Sequence, residues 1–116
     1  MTNERFTKTD RLLAGGEFER VYARRRRASD QWLAVFVCEN EAGRPRLGMS
    51  VSRRVGKAVL RNRWKRRIRE AFRTQRAELP DLDVIVSPRG GEPPSMEVLA
   101  GALVALVRQA ARKLHM

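Results

Sequence analysis

The sequence predicts an α+β domain of two layers, with helices packed on one face of a β-sheet. Three observations carry this reading. Leu60, Trp64, Ile68, Ala71 and Phe72 recur at the spacing of an amphipathic helix. Short β-type runs lie on either side of it, Trp32 to Cys38 (WLAVFVC) and Arg46 to Ser52 (RLGMSVS) before, Leu82 to Ser87 (LDVIVS) after. A second apolar stripe, from Leu99 to Leu114, closes the chain. At 116 residues the chain fits one domain, residues 1–116. A chain of this length buries roughly 65% of its unfolded surface, enough for a single core.

Taken in order, residues 1–10 are polar and expected to be loose. Phe18, Val21 and Tyr22 stand at i, i+3 and i+4 and predict a short helix after Gly15-Gly16. A basic run, Arg24 to Arg27, follows. Trp32 to Cys38 reads as a strand that is apolar on both faces, so the first helix or a flat ligand must cover the face that the other helices leave open. Glu39 to Pro45 is a turn containing Gly43, and Arg46 to Ser52 alternates as a half-exposed strand. The two strands and this turn predict a hairpin. The basic helix is expected over Leu60 to Arg76. The strand Leu82 to Ser87 ends at Pro88 and the loop RGGEPP. Ser95 then serves as N-cap of the last helix, with Glu97 in its first turn and Arg108, Arg112 and Lys113 late, where they suit the helix dipole.

Charge is the most informative feature for function. The chain carries net +12, and the stretch Arg53 to Arg76 holds eleven Lys/Arg against the single acid Glu70, a local +10. Residues 1–52 contribute +3 and residues 77–116 contribute −1. At about 100° per residue, Asn62, Arg66, Arg69 and Arg73 fall opposite the apolar arc, with Arg63 and Arg67 on one flank and Lys65 on the other. Arg61 projects near the apolar arc and is expected to reach back past the helix start. Like charges at i, i+4 oppose the helix by a few tenths of a kcal/mol per pair. A polyanion that neutralises them explains the pattern better than a solvated face, and the commonest polyanion is a phosphate backbone.

Catalytic equipment is missing from the sequence. Metal-dependent nucleases cluster carboxylates around their cations, whereas the acids here are scattered. General acid–base chemistry needs a positioned histidine or perturbed carboxylate, and the sole histidine, His115, is next to last. Cys38 is the only cysteine, cannot form an internal disulfide, and reads as a small buried hydrophobe in a reducing cytosol. No apolar run approaches the roughly 18 residues of a membrane span, and the polar start has no signal-peptide pattern. A cytoplasmic protein that binds nucleic acid or assists a separate catalyst fits these features.

The stretch LGMSVSRRVGKAVLRNRWKRRIREAFR, from Leu47 to Arg73, closely resembles the signature of the bacterial ribonuclease P protein subunit, whose G-x-S-V-S-basic-basic-x-G-K-A-V-x-R-N-R-x-K-R-x-x-R-E-x-F pattern is filled at every charged position. The resemblance implies an αβββαβα two-layer sandwich of ribosomal-protein-like type, with a left-handed βαβ crossover against the usual rule. It places an extra strand near Arg25 to Ser29. It implies a protein cofactor whose partners are a catalytic RNA and precursor tRNA, in an endoribonuclease that removes the 5′ leader. By the same resemblance Arg53, Arg54, Lys57, Arg61, Asn62, Arg63, Lys65, Arg66 and Arg69 meet the catalytic RNA. Phe18, Tyr22 and Val35 line a cleft for the single-stranded leader, where bases stack at roughly 1–3 kcal/mol each. From spacing alone, Phe18 and Tyr22 serve equally well as core packing. Mg²⁺ is expected to be held mainly by the RNA and substrate, with no organic cofactor, membrane or obligate protein partner.

A non-enzymatic rRNA-binding ribosomal-type protein is the alternative, since such proteins share the charge and the layered fold. A helix-turn-helix DNA binder needs a short helix where a strand is read. A membrane-surface helix needs a wider apolar face.

Overall fold

The structure, a computed structural model, describes residues 15–115, so the expected loose segment 1–10 lies outside the described residues. Helix α1 spans Gly15–Arg24, followed by strands β1 (Arg26–Ser29), β2 (Leu33–Glu39) and β3 (Arg46–Met49). Helix α2 spans Ala58–Gln75, strand β4 Leu82–Pro88 and helix α3 Met96–Arg112. Single 3₁₀ turns precede α2 and follow α2 and α3. The order is αβββαβα, with β1 falling within the span the resemblance assigns to an extra strand.

The sheet departs from the sequence reading in its strand order. Its order is β1-β2-β4-β3, so β2 and β3 do not form a hairpin. Strand β4 lies between them, antiparallel to β2 over seven residue pairs and parallel to β3. The cause is visible in β4 itself, where Leu82 through Val86 are all buried. A strand apolar on both faces gains most from a central position with a neighbour on each edge. The link 40–45 need only cross two strand spacings, about 10 Å, which six residues reach easily. The hairpin that does form is β1–β2, with Arg27 opposite Phe36 and Ala28 opposite Val35.

Side-chain alternation divides the sheet into two faces. Leu33, Val35 and Val37 of β2, with Val84 and Val86 of β4, join Trp64, Ile68, Phe72, Leu103 and Val107 in the main core beneath α2 and α3. Ala34, Phe36 and Cys38 point the other way, where Phe36 and Cys38 meet Val21, Ile85 and Phe18. Helix α1 therefore covers the second apolar face of β2, and the helices lie two on one face and one on the other.

The stripe expected on α2 is the one buried, with Trp64, Ile68, Ala71 and Phe72 inside. Gly56 supplies the turn before it, at φ 144°, a left-handed region that disfavours side chains. A Cβ there would stand 2.7 Å from Cδ2 of Leu60. The loop after β4 latches onto α2. The Trp64 indole N–H donates to the Gly91 carbonyl at 2.8 Å, and Arg67 donates to the Pro94 carbonyl at 2.8 Å. Satisfying the indole lets the largest apolar side chain be fully buried. Ser95 caps α3 as expected, its Oγ accepting from the Val98 amide at 3.3 Å.

Candidate nucleic-acid interface

The burial of Trp64, Ile68 and Phe72 fixes the rotation of α2 and so turns its basic side outward. Asn62 and Arg66 are exposed, and Lys65 and Arg69 are half-buried along their stems. Lys65, Arg66 and Arg69 make no hydrogen bond or ion pair among the described residues, nor do the exposed side chains of Arg53, Arg54 and Lys57 in the turn feeding the helix. Arg61 behaves as its phase implied: its Nε reaches back to the Gly56 carbonyl at 3.2 Å and pins that turn. Arg63 pairs with Glu92 of the latch loop at 2.5 Å. With Glu92 72% exposed, such a pair contributes little and yields to a competing anion. Arg73 is engaged by Glu70, whose carboxyl its hydrogen bonds hold below the usual range.

These cations surround open depressions. One of about 640 Å³ runs between Arg66, Arg67, Arg69, Glu70 and Met96, and another of about 340 Å³ lies among Val59, Asn62, Arg63 and Arg66. Val59 is 69% exposed, an apolar spot on the charged face that the sequence reading missed. Its helical angle, beside that of Arg66, was the available signal. Phosphates can meet the guanidinium groups here while Val59 touches sugar or base.

A second surface forms around α1. Tyr22, 39% exposed, lies edge-on to Phe36 at 5.0 Å between centroids and 6.5 Å from Phe18. The Arg27 guanidinium stands 5.5 Å above the Phe36 ring. Val35 does not belong to this surface. It is fully buried on the opposite face of β2, under the helices, and Phe36 takes the place assigned to it. The error is a strand phase: β2 is apolar at every position from Leu33 to Cys38, so nothing in its own pattern tells one face from the other.

Between α1 and the sheet lies a polar lock that the sequence reading also missed. Asp83 of β4 has no exposed surface and accepts from Arg46 Nε and Nη2, both at 2.7 Å. Asn40 Nδ2 donates to it at 2.9 Å, and Arg20 of α1 completes the ring. Burial pushes the Asp83 carboxyl up, but the hydrogen bonds from Arg46, Asn40 and Arg20 outweigh it and hold it below its ordinary value. Arg20 also donates to the Glu39 carbonyl at 2.8 Å, and Glu17 approaches Arg46 at 3.7 Å. Only Val21 of α1 is fully buried, so these ionic contacts do much to seat the helix that carries Phe18 and Tyr22. One carboxylate inside an otherwise apolar strand was the sequence signal. Among the described residues no three His, Cys, Asp or Glu side chains converge as metal ligands, and no helix is long and apolar enough to cross a membrane.

Comparison with known proteins agrees with this architecture. The family model for ribonuclease P matches residues 6–111. A ribonuclease P protein component from Halorhodospira halophila is 44% identical over 90 residues, covering 76% of this chain and 74% of the relative. One from Methylococcus capsulatus is 42% identical over 85 residues, covering 72% of this chain and 66% of the relative. A solved structure of a Staphylococcus aureus RNase P protein, a mutant with defective mRNA degradation activity, superposes with TM-score 0.80 at 30% identity over 90% of each chain. The basic helix, the aromatic face opposite it and these matches together place the chain in the ribonuclease P protein family.

Proposed function

We propose that this chain is the protein cofactor of a cytoplasmic, RNA-based ribonuclease P, assisting a catalytic RNA in endonucleolytic removal of the 5′ leader from precursor tRNA. The observation that carries the reading is the separation of two RNA-adapted surfaces by the sheet. The α2 face, with Asn62, Lys65, Arg66 and Arg69 and the Arg53–Lys57 turn, suits the phosphates of a structured RNA. The α1 face offers rings to bases, and only a single strand has base faces free to take them. The chain supplies charge, position and stacking. The Mg²⁺ that supports the chemistry is assigned to the RNA and substrate phosphates, because among the described residues no three acids, histidines or cysteines converge as metal ligands.

Reconstitution with a cognate catalytic RNA tests this. The protein alone should leave precursor tRNA intact, and adding it should lower the Mg²⁺ the RNA requires, since its cations replace part of the screening metal. In the same assay Phe18→Ala with Tyr22→Ala should reduce the affinity advantage of precursor over mature tRNA about tenfold or more, given roughly 1–3 kcal/mol per stacked base. Holoenzyme affinity should hardly change. Cleavage by the RNA-free protein would refute the proposal, and an undiminished advantage in the folded double variant would return both aromatics to core packing.

A further inference from the structure

The second basic run of the sequence, Arg24 to Arg27, lies away from α2, and its arginines meet different fates. Arg24 pairs with Glu39 at 3.0 Å, whose carboxyl it holds down to about 2, and donates to the Leu114 carbonyl. Arg25 occupies the α1–β1 junction at φ 55°. Arg26 pairs in register with Val37, on the helix-covered face. Arg27 is different. It pairs with Phe36, so both side chains leave the α1 face, and its guanidinium lies over the Phe36 ring. Arg27 is exposed and its side chain has no ion pair among the described residues. Asp30, three residues on, is engaged by the amides of Trp32 and Leu33, and Glu39 by Arg24.

The strand order gives this position meaning. Strand β1 is one edge of the sheet, while β3, leading to the Arg53–Val55 turn, is the other. Four strands span about 14 Å between those edges. The row across the α1 face next to Arg27 and Phe36 consists of Ser29, Ala34 and Ser87, small side chains that are all at least partly accessible. A single strand lying along that floor passes Tyr22 and Phe36 and leaves the protein over Arg27. The Phe36 ring holds the guanidinium in place by cation–π attraction, leaving its donors for a phosphate.

We infer that Arg27 grips the leader at the far edge of the sheet, taking a phosphate beyond the nucleotides that stack on the aromatic row. The inference rests on the proposed leader role of the α1 face.

The test uses the reconstituted holoenzyme and precursor tRNAs whose leaders are lengthened one nucleotide at a time. Affinity should rise with length and level off. Arg27→Gln should level off earlier, with about five- to tenfold weaker binding of the longest leaders and no change for the shortest leaders or for mature tRNA. The salt dependence of long-leader binding should lose roughly one phosphate contact. Arg27→Lys, which keeps the charge, should recover most of the affinity. If Arg27→Gln matches the parent protein at every length, or weakens mature tRNA and long-leader precursor equally, the inference fails. A parent holoenzyme with no leader advantage at all overturns the proposed function, and this inference with it.

Discussion

Asp83→Asn should destabilise the fold by about 3 kcal/mol, at the lower end of the range for breaking a buried ion pair. The variant keeps the shape of the side chain but replaces an anion facing two guanidinium groups with a neutral amide. Arg46 and Arg20 remain 21% and 41% exposed at their side chains, so both can partly rehydrate, and the cost stays below that of a fully enclosed pair. The pH dependence follows in sign from the depressed pKa. An aspartate that titrates lower in the folded chain than in the unfolded one, near 3.9, contributes its stability above that unfolded value. The contribution is lost as pH falls through the folded value. Denaturant midpoints of parent and variant should therefore differ by a constant amount from about pH 5 upward, and converge below about pH 4. A variant as stable as the parent at neutral pH would mean that Arg20 and Arg46 are held by the backbone contacts and by Glu17 rather than by this carboxylate.

The parts of this molecule that were legible in its sequence are those where one residue pattern fixes one geometry. Helix α2 has a single apolar stripe and a nearly uniform cationic face, so its rotation, and even the backward reach of Arg61, follow from 100° steps. Ser95 behind two prolines fixes the start of α3. Pairing between strands is a different kind of information. The link from β2 to β3 is short enough for a hairpin, and only the two-sided burial of β4 shows that a third strand must enter between them. The same lack of contrast hid the phase of β2, where Val35 and Phe36 are equally apolar and only α1 on one side and α3 on the other distinguishes them. Asp83 was unreadable for its role because its partners Asn40, Arg46 and Arg20 stand 43, 37 and 63 residues away.

Splitting α2 into its two faces should separate stability from RNA affinity. Ile68→Ala removes a side chain that is 1% exposed, buried in the main core with Trp64, Phe72 and Leu103, and should cost about 2–5 kcal/mol. Arg66→Ala with Arg69→Ala removes two cations that bind nothing within the described protein. That change relieves like-charge repulsion along the helix, so stability should stay within about 0.5 kcal/mol of the parent or rise slightly. Affinity for the catalytic RNA should nonetheless fall, and the slope of log affinity against log salt should flatten by about two phosphate contacts. Thermal melting of each variant, paired with RNA titrations at several salt concentrations, measures both quantities. The burial of Trp64, Ile68 and Phe72 leaves only one rotation of α2 in which these two outcomes can be separated. If the arginine double variant lost as much stability as Ile68→Ala, the cationic face would be a packing surface, and the phosphates of the RNA would have to be met elsewhere on the chain.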